Sequence, residues 1–254
     1  MGETVSTSKD PIEIESVSDL VGLHQALGLG EPVWFRGQAD YAFSLNPSLF
    51  RNEGHADHER EMLDEFKHDA LLWSEYSPVG EWAWMVLAQH YGLPTRLLDW
   101  SQSPLQALYF AVVDHPDEDG ALFVLHPKQL NRFAFGNAFR FPVLLDDGDH
   151  TLEAYAPGAG GRRGMIPAAV VAYNHFPRIG AQKGVFTLYP ARDCFQSDDT
   201  LAGCCLKYRV PSESKDEILR ELKFLCIDEA SSYPDLDHLA KHIKVNYDSS
   251  KTSL

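Results

Sequence analysis

The sequence predicts an α+β fold: a single domain in which a mixed, mainly antiparallel sheet is flanked by helices. The first observation is length, since 254 residues of which 44% are hydrophobic suit one large domain better than two small ones. The second is that helical and strand patterns are interleaved. The third is that the later strand patterns follow one another with little helix between them, which favours a mixed sheet over a doubly wound one.

The first half predicts three helices and a strand. Residues 16–28, SVSDLVGLHQALG, have apolar positions at helical spacing after a Ser16-x-x-Asp19 start. The strand PVWFRG follows at 32–37. A helix of about five turns is predicted over 57–75, and another, EWAWMVLAQHYG, ends at Gly92. The apolar stripe of the long helix is formed by Met62, Leu63, Phe66, Ala70 and Trp73.

The middle of the chain predicts an extended piece over 95–100 that meets a helix with Ser103 as N-cap and Pro104 in its first turn. Backbone N–H groups at such a helix start can receive an anion. GALFVLHP at 120–127 is typical of a buried strand. Residues 127–165 are predicted to be irregular, and their glycine-rich end, PGAGGRRG, is open to interpretation as a flexible loop or a phosphate cradle.

The last part predicts three strands, AAVVAYN at 168–174, GVFTLYP at 184–190 and LKYRV at 206–210. A capping box, Ser214-x-x-Glu217, predicts the start of a helix, and a short helix is expected near 235–244. We expect flexible tails at 1–14 and 246–254 around one domain at 15–245.

Charge and hydropathy exclude two kinds of partner. A formal net charge of −15 argues against stable non-specific binding to duplex nucleic acid, which depends on many Lys and Arg contacts to phosphate. No apolar run reaches the roughly 18 residues of a membrane span, so we expect no membrane association and a cytoplasmic protein. A local basic pocket stays open, with seven candidate arginines: Arg36, Arg51, Arg96, Arg162, Arg163, Arg178 and Arg192.

We expect no bound metal. The adjacent cysteines Cys204 and Cys205 cannot supply the C-x-x-C spacing that tetrahedral zinc favours. The pairs His55/His58 and His238/His242 have no third ligand at a recognisable spacing.

Four quoted segments carry a family resemblance. At WFRGQ (34–38), HYGLPTRLLDWSQSPLQALYFA (90–111) and RIGAQKGVF (178–186) the chain resembles the FRG domain family, named for its Phe-Arg-Gly signature. The closing SSYPDLDHLAKHI (231–243) is similar to the end of that family, so the resemblance spans about 15 to 243. The family is found beside toxin, phage-conflict and mobile-element genes, which implies a toxin or phage-defence role.

The order of these segments also resembles the arginine-type ADP-ribosyltransferases. There, an arginine ends the first strand and binds the NAD pyrophosphate, a middle strand runs into a helix beneath the nicotinamide, and a late strand carries a catalytic glutamate. The resemblance implies an ADP-ribosyltransferase-like fold with NAD as the substrate. The enzyme would transfer ADP-ribose to a macromolecule, protein or nucleic acid, or simply cleave NAD.

The resemblance gives roles to Arg36, Gly37, Asp99 and Gln182. Arg36 would bind the diphosphate with two parallel hydrogen bonds, and Gly37 would let the ligand approach the backbone. Gln182 stands where the transferase pattern has glutamate; it can hydrogen-bond a ribose hydroxyl but holds no negative charge. Asp99 is therefore the first candidate for the missing carboxylate. Arg36, Asp99 and Gln182 are the predicted catalytic residues.

The predicted NAD-contacting residues are Arg36, Gly37, Gln38, His90, Thr95, Arg96, Ser101 and Tyr109. Structural alternatives stay open for several of them. Arg36 could be a surface arginine at a sheet edge, and Arg96 could form an internal ion pair with Asp99. His90 could be a buried structural histidine or a cation at a helix C-terminus. Tyr109 could pack in the core or stack on nicotinamide.

Three functions follow, in order of preference. The first is the NAD-using ADP-ribosyltransferase-like enzyme. The second is a non-catalytic sensing or binding module of a defence system, which the missing glutamate favours. The third is a phosphodiester enzyme, placed last because no clustered metal-binding carboxylates are visible.

Overall fold

One open sheet organises the chain in the computed structural model, which describes residues 12–27, 30–73, 78–138, 141–157, 159, 165–173, 183–191, 203–233 and 236–247. Within these residues the sheet has seven strands in the spatial order β4–β5–β6–β2–β1–β3–β7. The strands are β1 Trp34–Gln38, β2 Leu97–Ser101, β3 Gly120–Leu125, β4 Val143–Leu144, β5 Ala168–Val171, β6 Gly184–Leu188 and β7 Cys205–Val210. Only the β4–β5 pair is parallel among the described strands. The predicted mixed, mainly antiparallel α+β domain is confirmed.

Helices lie before, between and after the strands. They are α1 Val17–Ala26, α2 Glu53–Asp57, α3 Glu59–Ala70, α4 Glu81–His90, α5 Pro104–Val112, α6 Pro127–Phe135, α7 Lys215–Phe224, α8 Glu229–Ser232 and α9 Leu236–Asn246. Short 3-10 turns occupy Ser48–Arg51, Gly136–Ala138, Glu153–Tyr155 and Ser212–Ser214. None of the helices in the described ranges is both long and apolar enough to span a membrane.

Two predicted helix starts are confirmed in detail. The Ser16 side chain accepts a hydrogen bond from the Asp19 backbone N–H at the start of α1. The Ser103 side chain accepts one from the Gln106 backbone N–H at the start of α5, with Pro104 as the first helical residue. Both satisfy a backbone donor that has no partner inside the helix.

Three predicted features are wrong in part. The helix predicted over 57–75 is confirmed only as α3, Glu59–Ala70, because the backbone leaves the helical region at His58. Trp73, expected on its apolar stripe, lies beyond the end of α3 and is 87% exposed. The segment 127–165 is not irregular throughout, because α6 starts at Pro127, a favoured first helical residue. Ser214 makes no capping hydrogen bond, because a 3-10 turn ends there.

The chain is also ordered ahead of the predicted domain start at residue 15. Ile14 is 1% exposed, and its backbone N–H donates to the Arg209 carbonyl of β7 at 2.8 Å. Residues 1–11 and 248–254, which make up most of the predicted tails, lie outside the described residues.

One face of the sheet is covered by two helices that lie over adjacent halves. α5 packs with α1 and α7 over β1, β3 and β7, where Phe35, Leu122 and Tyr208 are buried. α4 packs over β2, β5 and β6, with Met85 and Phe186 in a second cluster. The boundary between the two helices therefore falls at the junction of β1 and β2.

Gly37 is required by the packing of α5 on β1. A Cβ at this position would overlap the backbone carbonyl of Ala107 and crowd the backbone nitrogen of Ala111. We expect Gly37→Ala to lower the free energy of unfolding by about 2 kcal/mol or more, because a helix backbone cannot move aside without repacking. Gly22→Ala is the matched control: its Cβ meets nothing within 4 Å, and alanine in a helix should stabilise by about 0.5–1 kcal/mol. Urea denaturation measures both, and equal stability of the two variants would contradict the packing role.

Candidate functional site: a cleft where two central strands part

The strands β1 and β2 are neighbours in the sheet, but their pairing is limited to one residue pair, Phe35 with Ser101. By contrast, β1 pairs with β3 over the five residues from Trp34 to Gln38, and β2 pairs with β6 over the five from Leu97 to Ser101. A cleft of about 390 Å³ lies at this junction. It is lined by Phe35, Arg36, Gly37, Gln38, Ala39, Phe43, Arg51, Val86, Gln89, His90, Asp99, Trp100, Ser101, Ala107, Phe110, Asp114, His115 and Phe186.

Arg36 bridges the two parting strands. Its Nη1 donates to the backbone carbonyl of Asp99 at 2.7 Å, and its buried Nε has no acceptor among the described residues. Burial lowers the pKa of the Arg36 guanidinium, and the Asp99 charge opposes that shift. An arginine nevertheless stays protonated at physiological pH. The cleft therefore contains a permanent cation with hydrogen-bond donors to spare.

Arg51 adds a second cation to the same cleft. It ends the Ser48–Arg51 turn, and its Nε donates to the backbone carbonyl of Asn46 at 3.1 Å. It is close enough to Arg36 to lower the pKa of that guanidinium. Within the described part of the chain neither arginine forms an ion pair with a carboxylate. The cleft therefore combines two guanidiniums outside any described ion pair with the carboxylates of Asp99 and Asp114.

Asp99 brings a carboxylate to the same cleft. Its Oδ2 accepts a hydrogen bond from Gln89 Nε2 at 2.7 Å. Gln89 is held in turn by the Thr95 hydroxyl, which donates to Gln89 Oε1 at 2.6 Å. The amide of Gln89 is thus oriented at both ends, and it aims one N–H at Asp99.

Thr95 does not line the cleft. It is buried, and its hydroxyl also accepts from the Leu97 backbone N–H at 3.2 Å. Its contact with the site is indirect, through Gln89. We therefore leave Thr95 out of the ligand contacts and treat it as a residue that positions Gln89.

Arg96 also lies away from the cleft, and its partner is Glu59, not Asp99. Arg96 and Glu59 are 5% and 7% exposed; Nε donates to Glu59 Oε1 at 2.6 Å and Nη2 to Glu59 Oε2. Nη1 donates to the backbone carbonyl of Tyr155 at 2.9 Å. This buried, two-pronged ion pair ties the start of α3 to β2, so the expected NAD contact of Arg96 is replaced by a structural one.

Tyr109 packs in the core on the far side of α5. It is 5% exposed, and its ring meets that of Phe110 edge to face at 5.5 Å. Burial, with the nearby Glu229 charge, raises the pKa of the Tyr109 phenol to about 12. Of the two interpretations left open by the sequence, core packing is the one that the geometry supports.

The raised pKa of Tyr109 makes stability sensitive to alkaline pH. In the unfolded chain the phenol loses its proton near the ordinary tyrosine pKa of 10.0, while in the folded protein it keeps the proton to about 12. The folded state therefore binds more protons in that window, and stability should fall as pH rises from about 10 to about 12. We expect Tyr109→Phe to flatten this fall in urea denaturation between about pH 9 and 11.5. Tyr247→Phe, which removes an 86% exposed tyrosine, is the control; the same alkaline slope in wild type and Tyr109→Phe would contradict the assignment.

The other predicted residues do line the cleft. His90 ends α4 with its ring edge to face on Tyr91 at 5.0 Å. The buried Ser101 oxygen accepts from the Ser103 backbone N–H at 2.9 Å. Gly37 and Gln38 form the β1 side of the cleft. The α5 backbone occupies the space that a Cβ of residue 37 would fill. Gln182 lies outside the described residues, as does most of the PGAGGRRG segment.

Four of the cleft residues that sequence reasoning missed are Gln89, Phe43, His115 and Asp114. Gln89 was adjacent to a chosen histidine, but nothing local shows that it reaches β2. Phe43 and His115 lie in loops far apart in the chain and meet only through tertiary packing, with ring centroids 5.7 Å apart. The described residues contain no group of three or more His, Cys, Asp or Glu suited to a metal ion.

Comparison with known families finds one match, to the FRG domain, over residues 31–120. Searches of the curated proteins and of the solved structures find no match to the chain. The matched segment includes β1, α4, β2 and α5, and of the described residues that line the cleft only Phe186 falls outside it. The match supports the FRG domain family for the part of the chain that builds the cleft.

Proposed function

We propose that this protein binds NAD in the cleft between β1 and β2 and cleaves its nicotinamide–ribose bond. ADP-ribose would pass to a macromolecule or to water. The observation that carries the proposal is Arg36: a half-buried guanidinium with a buried Nε, whose only hydrogen bond to a described residue goes to a backbone carbonyl, in a cleft that Arg51 shares. The resemblance to the FRG domain family supports a role for this activity in a toxin or phage-defence system.

A diphosphate suits this pair of arginines. Guanidiniums bind phosphate oxygens through parallel charge-assisted hydrogen bonds, which are about twice as strong as neutral ones. The repulsion between Arg36 and Arg51 is relieved when an anion with two negative charges lies between them. The unpaired Nε of Arg36 also needs an acceptor to offset its desolvation.

Asp99 is the residue that we propose for bond cleavage. When the N-glycosidic bond breaks, its electron pair leaves with nicotinamide and positive charge develops on the ribose ring. The Asp99 carboxylate, oriented by Gln89, would stabilise that charge, as preorganised groups do in enzyme sites. The acceptor nucleophile then bonds to the ribose carbon and loses its proton.

The direct test is nicotinamide release from NAD by the purified protein, with and without cell extract. We expect release by wild type and about 100-fold or more slower release by Asp99→Asn, with NAD affinity within about threefold of wild type. Asp216→Asn, on α7 and away from the cleft, is the control. Absence of both release and NAD binding would overturn the proposal.

A non-catalytic NAD-binding module is the second candidate. The observation that favours it is Gln182, which stands where the transferase pattern has a catalytic glutamate and holds no negative charge. This candidate predicts NAD binding that depends on Arg36, without nicotinamide release by any variant or in any extract.

A further inference from the structure

Gln38 lines the cleft, and its side-chain oxygen is a buried acceptor that has no hydrogen-bond donor among the described residues. The residue ends β1 and is 5% exposed. Its Nε2 donates to the backbone carbonyl of Ser44 at 3.1 Å, so the amide cannot be turned around without placing two carbonyl oxygens against each other. Its Oε1 consequently has no donor among the described residues. Buried polar atoms in folded proteins nearly always have a partner, and one without it is an exception that needs an explanation.

An aromatic pair lies beside Gln38. Ser44, which Gln38 binds, follows Phe43 directly, and the Phe43 ring meets the His115 ring at 85° with 5.7 Å between centroids. The buried ammonium of Lys215 fixes this arrangement, because it donates to the carbonyls of Ala39 at 2.7 Å and His115 at 2.8 Å. The loop that carries His115 is thereby held against the end of β1.

The backbone of His115 is itself unusual. Its φ of 49° lies in the left-handed region, which is uncommon for residues other than glycine. Such conformations persist when surrounding contacts hold them, and they concentrate at ligand sites. Here the contact is the hydrogen bond from Lys215 to the His115 carbonyl. It holds the Phe43–His115 pair in place although the His115 backbone is strained.

We infer that Gln38 Oε1 accepts a hydrogen bond from an N–H group on a planar ring of the bound dinucleotide, with the ring lying against Phe43 and His115. The inference rests on the proposed function, since it takes the ring to be one of the two rings of NAD. It makes Gln38 a specificity-determining residue, which accepts a ring with an amino or carboxamide N–H and rejects the same ring with oxygen in that place.

Both the adenine ring and the nicotinamide ring of NAD carry an exocyclic N–H group that could donate to Gln38 Oε1. Adenine has an exocyclic amino group, which hypoxanthine replaces with a carbonyl oxygen. Nicotinamide has a carboxamide N–H, which nicotinate replaces with a carboxylate oxygen. In either case an oxygen would face the Gln38 oxygen, and a buried acceptor left unpaired discriminates strongly against such an analogue.

The test compares the affinity of three dinucleotides by calorimetry: NAD, nicotinamide hypoxanthine dinucleotide and nicotinic acid adenine dinucleotide. We expect wild type to bind one of the two analogues about tenfold or more weakly than NAD, and the weaker analogue identifies the ring. Gln38→Met should bind NAD about fivefold to tenfold more weakly and should lose that discrimination.

Gln106→Met is the matched control, since Gln106 is equally buried and its Oε1 accepts from the Ser232 hydroxyl at 2.9 Å, away from the cleft. Gln106→Met should bind NAD more tightly than the weaker analogue by the same factor as wild type. Wild-type protein that binds all three dinucleotides within about twofold would overturn the inference while leaving the proposed function intact, and this comparison does not depend on the folding of any variant.

A second comparison separates the two proposals if NAD does not bind. AMP is compared with IMP, and nicotinamide with nicotinate. Preference for AMP or nicotinamide that disappears in Gln38→Met would support the role of Gln38 and refute NAD as the ligand. Absence of binding by NAD and by all four fragments would refute both.

Discussion

Replacing Arg36 with alanine is expected to weaken NAD binding by about 30- to 100-fold, because hydrogen bonds to a charged partner contribute about 1.5–3 kcal/mol each. The guanidinium is half-buried in the cleft and forms no ion pair with a described carboxylate, so its charge is available to a bound diphosphate. Nicotinamide release at low NAD concentration should fall by at least the same factor. Isothermal calorimetry and a release assay measure the two effects.

Two further variants define the cause of the Arg36 effect. Arg36→Lys keeps the charge but not the planar fork, so it should recover only part of the affinity. Arg220→Ala removes an arginine that is 72% exposed on α7 and should leave NAD affinity unchanged. NAD affinity that survives in Arg36→Ala would refute the diphosphate role, and a loss of folding stability without any ligand effect would assign Arg36 to the β1–β2 junction alone.

Replacing Arg96 with methionine is expected to lower the free energy of unfolding by about 3–5 kcal/mol, because it leaves the buried Glu59 carboxylate without its counter-charge. The backbone carbonyls of Tyr155 and Tyr189 lose donors in the same change. Urea denaturation monitored by tryptophan fluorescence measures the effect. A loss below about 1 kcal/mol would mean that the pair behaves as a surface ion pair.

The double variant Glu59→Leu/Arg96→Met tests the same explanation. It should be more stable than Arg96→Met alone, because two apolar side chains of similar volume remove the unpaired charge. Arg60→Met is the matched control: Arg60 pairs with Asp64 and Glu81, but its side chain is 49% exposed, so the change should cost less than about 1 kcal/mol. A double variant as unstable as the single one would refute the unpaired-charge explanation.

The residues of the cleft differ in how far the sequence predicts them. The family resemblance indicated Arg36, Gln38, Asp99 and Ser101, and strand patterns together with the Ser103 N-cap located the strands β1 and β2 that carry them. Arg96 looked equally suitable, but its partner Glu59 lies 37 positions earlier. No local pattern indicates which of several carboxylates an arginine will meet.

The sequence by itself determined the described strands other than β4 and the helix starts after Ser16 and Ser103. Arg36, expected at the end of the first strand, lies in the middle of β1. The strands and helix starts depend on local physics: the period of apolar side chains, the capping hydroxyl of Ser103 and the backbone preferences of Pro104. Only the tertiary structure decided that pairing between β1 and β2 stops after one residue pair, that α5 occupies the space beside Gly37, and that Gln38 Oε1 has no donor among the described residues. Those features depend on contacts between residues distant in the chain, where packing and burial, not local preference, set the free energy.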